Sequence, residues 1–258
     1  HRAKISWARK EGRQMSTLQR SSRHGGNLIP RFRPGVFLVF GLTAVLFVSG
    51  AFAQNLSFQR VEIDAEPPKS PWLKLAGDFN GDGKLDIAIG GASMYLVWYV
   101  NPTWQKITIA EKGWQTVSGA VGDIDGDGDV DILPGAQIWL ESPLPKGDPT
   151  KGPWPVRRIS NVRTHDALLA DLDVDGRLDI VARDQSGFNH NTGNKIHMWY
   201  QRDLDRWDYH VVDCPHGEGL AVADLDRDGD PDVIIAGIWY ENPGKAGGDW
   251  KSHQFTAQ

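Results

Sequence analysis

The sequence predicts an all-β fold, a β-propeller whose blades are four-stranded antiparallel sheets with calcium-binding loops. A nine-residue acidic motif occurs four times in the 258 residues, with starts that lie 45, 48 and 53 residues apart. Short apolar runs flank each copy, and Trp recurs at two fixed places after it. Four strands repeated about every 45–50 residues are typical of a propeller blade. Four blades are visible, and we expect them to form an arc of a larger ring, with a small closed ring as the alternative.

The four acidic segments align without gaps and are called loop 1 (residues 78–86), loop 2 (123–131), loop 3 (171–179) and loop 4 (224–232). Asp, or once Asn, occupies positions 1, 3, 5 and 9, while Gly occupies position 6. The loops hold 17 of the 33 acidic residues, so the negative charge is local. The predicted metal ligands are Asp78, Asn80, Asp82, Lys84, Asp86, Asp123, Asp125, Asp127, Asp129, Asp131, Asp171, Asp173, Asp175, Arg177, Asp179, Asp224, Asp226, Asp228, Asp230 and Asp232.

The residue types in these loops favour Ca²⁺. Oxygens at positions 1, 3, 5 and 9 of a tight turn converge, and Gly at position 6 permits the positive φ of the bend. Position 7 is expected to offer its backbone carbonyl, which is why Lys84 and Arg177 are included and why its side chain is free to vary. Crowded carboxylates repel without a cation, and all-oxygen ligation favours Ca²⁺ over Mg²⁺. A solvated Asp-rich turn would explain one such loop but not four in-register copies. Loop 1 is expected to be the weakest metal site, because Asn80 replaces a carboxylate there.

Apolar runs on either side of each loop are too short for helices and carry β-branched residues, so they predict two strands per unit. The runs before the loops are Leu73–Ala76, Ser118–Val121, Ala167–Ala170 and Leu220–Ala223. The runs after them are Ile87–Ile89, Ile132–Leu133, Ile180–Ala182 and Val233–Ala236. A third strand is expected around Trp98, Trp139, Trp199 and Trp239, and a fourth after Trp104, Trp154, Trp207 and Trp250.

Eight of the 11 Trp residues therefore fall in two slots of the repeat. We expect them to pack between blade faces, with sugar stacking by rim Trp residues as the alternative. The segment Ser57–Ile63 resembles the fourth strand alone, which predicts a fifth outer strand at the start of the repeat region.

Residues 1–53 are predicted to be a leader and residues 54–258 the repeat region. Residues 1–33 hold nine basic residues and one acidic residue, and residues 36–49 form an uncharged apolar run. Ala51-Phe52-Ala53 follows, which completes a secretory signal peptide cut after Ala53. An uncleaved membrane anchor is the alternative. We expect a secreted, periplasmic or cell-surface protein that has no membrane contact after cleavage.

The composition of the repeat region excludes some classes of protein. Residues 54–258 hold 19 Lys and Arg against 32 Asp and Glu, so nucleic acid is not an expected partner. A single cysteine, Cys214, excludes an intramolecular disulfide framework, and it is expected to be a small buried hydrophobe.

The acidic loops and the stretch Trp239–Pro243, Trp-Tyr-Glu-Asn-Pro, resemble the FG-GAP/VCBS repeats of integrin-α-type β-propellers over residues 55–258. The resemblance implies Ca²⁺ ligation by the loop positions above, between the first two strands of a blade, in a ring that usually has seven blades. The chain departs from that family in having four loops and degenerate Phe-Gly and Gly-Ala-Pro signatures. The segment 239–253 also resembles propellers attached to sugar-processing enzymes.

Two pairs of residues are candidate catalytic groups: His165 and Asp166 before loop 3, and His216 and Glu218 before loop 4. Both pairs enter the first strand of a blade, which is the strand nearest the propeller axis. We therefore expect them to converge there and to bind a metal or act as acid and base. The alternative is that these residues are merely polar residues at the start of a blade that were repeated when the blade was duplicated. We expect an exported calcium-binding module for a protein or carbohydrate ligand; the alternative is the propeller part of a carbohydrate lyase or dehydratase/isomerase.

Overall fold

The computed structural model describes residues 58–91, 95–112, 117–184, 194–217 and 219–255. The chain divides into two units, residues 1–58 and 59–258, and the fold described below is that of the second unit. The predicted leader, its apolar run and the cleavage site after Ala53 lie outside the described residues. Within the described part of the chain, no helix has the length and apolar character needed to cross a membrane.

Sixteen strands in the described residues form four antiparallel sheets of four strands each. Sheet 1 contains β1 (Leu73–Gly77), β2 (Asp86–Gly90), β3 (Leu96–Val100) and β4 (Gln105–Ala110). Sheet 2 contains β5 (Ala120–Gly122), β6 (Asp131–Gly135), β7 (Ile138–Leu140) and β8 (Val156–Arg158). Sheet 3 contains β9 (Thr164–Ala170), β10 (Asp179–Asp184), β11 (Lys195–Asp203) and β12 (Arg206–Asp213). Sheet 4 contains β13 (Leu220–Ala223), β14 (Asp232–Ile235), β15 (Ile238–Glu241) and β16 (Lys251–Gln254).

The strands of every sheet lie side by side in chain order, so each repeat of the sequence folds as one antiparallel meander. The single helical element among the described residues is a 3₁₀ turn, Pro149–Lys151. The predicted all-β class and the four-stranded antiparallel units are therefore confirmed.

The acidic loops are the hairpin connections between the first and second strand of each sheet. The ladder of sheet 1 ends with Gly77 opposite Asp86, and that of sheet 3 with Ala170 opposite Asp179. Side chains alternate across these strands, as in β1, where Leu73 and Leu75 are buried and Lys74 is exposed. In sheets 2 and 3 the second strands, β6 and β10, are buried along almost their whole length, so these strands bury both faces, and each loop lies at the end of its hairpin.

Apolar side chains from consecutive sheets pack against each other in three clusters. Between sheets 1 and 2, Phe79, Trp98 and Trp154 meet edge to face with ring centroids 6.1–6.3 Å apart. A second cluster between sheets 2 and 3 includes Trp139 and Trp199, and a third joins sheets 3 and 4. Packing between sheet faces is therefore the role of these buried Trp residues, as their spacing predicts.

The first strands of consecutive sheets also approach one another. Strand β5 contacts both β1 and β9, and β9 contacts β13. Between sheets 2 and 3 the approach includes backbone hydrogen bonds, with Ala167 N donating to Ser118 O at 3.0 Å. The first strand of each repeat thus lies on the side where neighbouring sheets come together.

The prediction of a fifth outer strand is wrong for the residues that the structure describes, since 58–63 form no strand. Phe58 and Val61 are 91% and 66% exposed and Ile63 is half-buried, so the segment lacks a continuous buried face that would hold it against a sheet. The chain first attaches to sheet 1 at Asp64, whose carboxylate accepts from Lys106 Nζ at 2.7 Å. The period-2 pattern of the segment resembles a strand but lacks the packing that stabilises one.

Candidate metal centres

Each acidic loop bends at two left-handed positions rather than one. Gly at position 6 has the positive φ that the sequence predicts, and position 4 also has positive φ in all four loops. Position 4 is Gly81, Gly126, Val174 and Arg227, with φ of 72°, 77°, 55° and 67°. Glycine at position 4 of loops 1 and 2 is the sequence signal for this second bend, and Val174 and Arg227 hide it in the other two loops.

The carboxylates of positions 1, 3 and 5 hold the loop backbone through local hydrogen bonds. In loop 1, Asp78 accepts from Asp82 N at 3.0 Å and from Gly83 N at 2.7 Å. Asn80 accepts from Asp82 N, and Asp82 accepts from Lys84 N at 2.9 Å. Each of these Asx turns leaves further oxygen lone pairs on the side chain, because an amide N–H uses only one of them.

Position 9 provides the most deeply buried carboxylate of each loop. One oxygen accepts from the N–H of loop position 2, and the other from an N–H near the end of the third strand, at 2.7–3.3 Å. These residues are Asp86, Asp131, Asp179 and Asp232, each at most 1% exposed. The sequence predicts them as metal ligands only, and their role in tying strands together was missed because both donors lie elsewhere in the repeat.

Neighbouring loops are joined by buried side-chain amides. Gln201, near the end of β11, donates from Nε2 to the carbonyl of Ile124 in loop 2 at 2.9 Å. Asn242, just after β15, donates from Nδ2 to the carbonyl of Leu172 in loop 3 at 2.8 Å. Loops 2 and 3 are therefore each tied to the sheet that follows them in the chain.

Three of the four loops bring carboxylates together as a metal site requires. One oxygen from each of three Asp residues lies within 4.8 Å of the other two in loops 2, 3 and 4. These groups are Asp123, Asp125 and Asp127; Asp171, Asp173 and Asp179; and Asp224, Asp226 and Asp232. Among the described residues, no such acidic group forms in loop 1, where Asn80 replaces a carboxylate.

Several of these carboxylates have raised pKa values. Burial raises the pKa of Asp131 and Asp179 to about 7. Their backbone hydrogen bonds oppose this rise, and the neighbouring carboxylates add to it. Burial and neighbouring carboxylates likewise raise the pKa of Asp129 and Asp230 to about 6. The crowding of negative charge therefore costs free energy in the absence of a cation.

Buried oxygens without a hydrogen-bond partner fit a hard cation. Such oxygens are Asp129 Oδ2, Asp173 Oδ1 and Asp230 Oδ1, each screened from solvent. An unpaired buried carboxylate oxygen is costly, and an all-oxygen set of carboxylates is the ligand type that Ca²⁺ prefers. The residues of loops 2, 3 and 4 thus fit a divalent cation in donor type and in spacing.

Comparison with known proteins supports the resemblance inferred from the loops. The segment 78–133, from loop 1 into β6, matches the family model of the FG-GAP-like repeat. No curated protein matches the chain. The crystal structure of the V. cholerae biofilm matrix protein Bap1 aligns with a TM-score of 0.38 and 20% identity, over 67% of this chain and 28% of that chain. The chain thus spans less than a third of that protein.

The four candidate catalytic residues lie outside the segment that matches this family model. His165 and Asp166 are on β9, with His165 Nδ1 and Asp166 Oδ2 separated by 3.0 Å. Asp166 also accepts from Nε of the fully buried Arg183 at 3.3 Å. His216 lies in the connection before β13, and Glu218 lies outside the described residues. The convergence of all four therefore stays a prediction.

Cys214 directly follows β12 and packs between sheets 3 and 4. Burial raises the pKa of its thiol to about 11. The thiol is therefore protonated at neutral pH, which agrees with its expected role as a small buried hydrophobe.

Proposed function

We propose that this chain is an exported calcium-binding module of the β-propeller type, and that it binds a protein or carbohydrate ligand. Ca²⁺ has a structural role in this proposal, bound in the hairpin between the first two strands of a sheet. The FG-GAP-like repeat at 78–133 supports the assignment of the family, because its loops have the same form as loops 3 and 4.

The arrangement of the sheets supports a propeller. Four meanders follow one another in the chain, consecutive sheets pack face to face, and their first strands contact in series from β1 to β13. A propeller requires these three features, since its innermost strands surround an axis and its blades bury their faces against neighbours.

The observation that carries the calcium proposal is the meeting of three carboxylate oxygens within 4.8 Å in loops 2, 3 and 4. Solvated acidic turns keep their carboxylates apart and hydrated, whereas Asp129, Asp173 and Asp230 each bury an oxygen without a partner. A bound cation would offset the repulsion and fix the hairpin to the third strand through position 9.

Calcium titration of the full chain by calorimetry tests this proposal. We expect saturable Ca²⁺ binding that a chelator reverses. Mg²⁺ should compete poorly with Ca²⁺ for these sites, because Mg²⁺ retains its waters. Asp226→Asn should weaken the binding, while Asp205→Asn, at an aspartate outside the loops whose side chain is 83% exposed, should not. Absence of saturable calcium binding at neutral pH contradicts the proposal.

The binding role is tested with a panel of soluble polysaccharides, in calcium and in chelator. Retention of one polysaccharide class in calcium alone supports a carbohydrate ligand, and no retention by any member favours a protein ligand. The export proposal rests on the leader predicted at 1–53.

The enzymatic alternative, with His165 and His216 in a carbohydrate lyase or dehydratase, is not adopted. The His165 side chain is 9% exposed and Asp166 pairs with the buried Arg183, which gives the cluster a structural role. Turnover of a uronic-acid polysaccharide that is lost in His165→Ala, with unchanged unfolding, would restore the alternative.

A further inference from the structure

One face of sheet 1 packs against sheet 2, and the opposite face is crossed by residues 64–70, here called the strap. Trp98 and Ile107 belong to the packed face. Cross-strand partners share a face, so the neighbouring row of residues lies on the opposite face. That row is Lys74, Ile89, Val97 and Thr108. The strap therefore lies on a face that the packing of sheets 1 and 2 does not use.

The start of the strap is fixed to strands β3 and β4. The Asp64 carboxylate accepts from the Tyr99 hydroxyl and lies 2.7 Å from Lys106 Nζ. Lys106 Nζ also donates to the carbonyl of Glu66 at 2.8 Å. The hydrogen bonds from Lys106 and Tyr99 lower the pKa of Asp64 to about 2, so this anchor stays charged at neutral pH.

The end of the strap is fixed to β2 through a close backbone contact. A Cβ added at Gly91 would lie 2.3–2.4 Å from the carbonyl oxygens of Ser70 and Lys69, so only glycine permits this approach. Between the two fixed ends lie Pro67 and the buried Pro68. Because proline fixes φ, the strap has little conformational freedom to lose when a ligand binds.

A cleft of about 600 Å³ lies between the strap and strands β3 and β4, and it is called the strap cleft. Pro67, Pro68 and Val97 give it an apolar surface, and Tyr95 lies at its edge with 49% of the residue exposed. Tyr95 ends the connection between β2 and β3, which is the end of sheet 1 opposite loop 1. The strap cleft is thus separate from the acidic loops and has the size of a small-molecule site.

The polar groups of the strap cleft have balanced charges. Among the described residues that line it or hold the strap, Lys69 and Lys106 are matched by Glu66 and Asp64. The repeat region as a whole holds 19 basic residues against 32 acidic ones. The exposed Thr108 adds a hydroxyl, so the cleft offers both donors and acceptors. An apolar surface with a neutral polar rim matches an uncharged sugar, whose ring has C–H faces and hydroxyl edges.

The Trp residues in the third strands of sheets 1, 2 and 3 do not offer such a surface. Trp98, Trp139 and Trp199 are at most 3% exposed, because they pack between sheets. The ring of Tyr95 is accessible beside a cleft, which is what stacking on a sugar requires.

We propose that the strap cleft binds an uncharged sugar unit of a polysaccharide, with the Tyr95 ring stacked on the sugar and with Lys69, Glu66 and Thr108 bound to its hydroxyls. This inference rests on the proposed function. It selects carbohydrate as the ligand and adds the site that binds it.

Affinity electrophoresis of the full chain in calcium, with a polysaccharide in the native gel, tests the inference. The neutral polymers are dextran, laminarin and galactomannan, and alginate is the anionic one. We expect at least one neutral polymer to slow the protein. Tyr95→Ala should weaken that binding by about tenfold or more, because the aromatic contact is lost. Tyr95→Phe keeps the ring and should bind within about twofold of the unchanged protein.

A second variant moves the strap and leaves the ring in place. Gly91→Ala sets a methyl group against the strap carbonyls, so we expect it to weaken binding of the same polymer by about tenfold. Trp72→Ala, at an exposed Trp that does not line the cleft, is the control and should bind as the unchanged protein does. Near-ultraviolet circular dichroism checks the folding of each variant.

The outcomes separate the site from the proposed function. Binding of a neutral polymer that Tyr95→Ala and Gly91→Ala leave intact overturns the strap cleft as the site, while a carbohydrate ligand stands. Binding of alginate alone overturns the uncharged sugar. No binding of any polymer overturns the inference and favours a protein ligand, whereas the calcium proposal is decided separately by the calcium titration.

Discussion

At the scale of single residues, Val174 occupies a backbone conformation that suits it poorly. It lies at position 4 of loop 3 with φ of 55° and is 58% exposed. A β-branched side chain in the left-handed region is strained, whereas glycine is not. We expect Val174→Gly to stabilise the protein by about 0.5–1 kcal/mol, after the entropy of glycine in the unfolded chain is included.

Urea unfolding in calcium-free buffer measures this change. The control is Val156→Gly, at a similarly exposed valine in β8, which should destabilise by about 1 kcal/mol because glycine weakens a strand. Destabilisation by Val174→Gly of the same size as the control would show that position 4 is not strained.

Asp86 separates the structural role of position 9 from metal ligation, because loop 1 is the loop least suited to a metal. Asp86→Ala leaves the N–H groups of Phe79 and Asn101 without acceptors. We expect a loss of about 2–4 kcal/mol in calcium-free buffer, since each buried unsatisfied donor costs free energy. Asp82→Ala, at a partly exposed position of the same loop, should cost less than about 1 kcal/mol. Equal costs would contradict the structural role.

The local geometry of the loops could be predicted from the sequence, whereas ligation of a metal by their residues stays a prediction. The glycine at position 6 and the oxygens at positions 1, 3 and 5 follow from the motif itself. Arg202 could not be predicted, because it reaches Asp173 from the end of another strand. The inward side chain of Asp230 was missed for a similar reason, since its burial depends on the segment around Gly244 that folds over it.

At the scale of elements, the aromatic contact between sheets 1 and 2 sets the stability of that interface. Trp154 is 2% exposed, and its Nε1 donates to the carbonyl of Pro149 at 3.0 Å. We expect Trp154→Ala to destabilise the protein by about 3–5 kcal/mol, from lost burial and the cavity left beside Trp98. Chemical denaturation measures the free energy of unfolding of this variant. Trp72→Ala, at a Trp that is 55% exposed, is the control. A cost near that of the control would contradict packing between these sheets.

The strands were predictable because each repeat carries its own pattern. All four predicted runs before the loops overlap β1, β5, β9 and β13, and the runs after them overlap the second strands. The segment 58–63 was predicted wrongly, since alternation alone does not supply a neighbouring strand to pair with. A local pattern thus predicts an element reliably only when the fold also provides its partner.

At the scale of the whole molecule, the loop carboxylates link stability to pH. Asp131 and Asp179 have pKa values raised to about 7, and Asp129 and Asp230 to about 6, from an ordinary 3.8. The folded state therefore binds these protons more tightly than the unfolded state, so stability is present below about pH 4 and is lost as pH rises through 6 to 7.

We expect the free energy of unfolding in chelator to be lower at pH 8 than at pH 5. His197, whose pKa burial lowers, opposes this trend as a single group. Saturating calcium should reduce or reverse the difference, because the cation replaces the protons on the carboxylates. Urea unfolding across this range measures both series, and identical slopes with and without calcium would count against metal binding by these residues.

The order of the sheets along the chain follows from the repeat, while their arrangement around an axis is part of the proposed function. Each sheet is encoded within one repeat, so its strand order needs no information from elsewhere. Packing between sheets depends on residues far apart in the chain, such as Gln201 and Ile124, whose contact the motif does not reveal. The number of blades in a ring depends on the angle between such faces, which no single repeat specifies.

Thermal unfolding of the full chain in excess Ca²⁺ and in chelator tests calcium binding by the loops most directly. Calcium at 100 times Kd stabilises by about 2.7 kcal/mol per site. With sites in loops 2, 3 and 4, we predict a rise in Tm of more than about 10 °C, because about 1 kcal/mol raises the Tm of a domain of this size by about 2–4 °C. The combined variant Asp125→Asn, Asp173→Asn and Asp226→Asn, with one change in each group of carboxylates, should lose most of that rise. A cooperative transition at the same Tm in both buffers would contradict calcium binding by the loops.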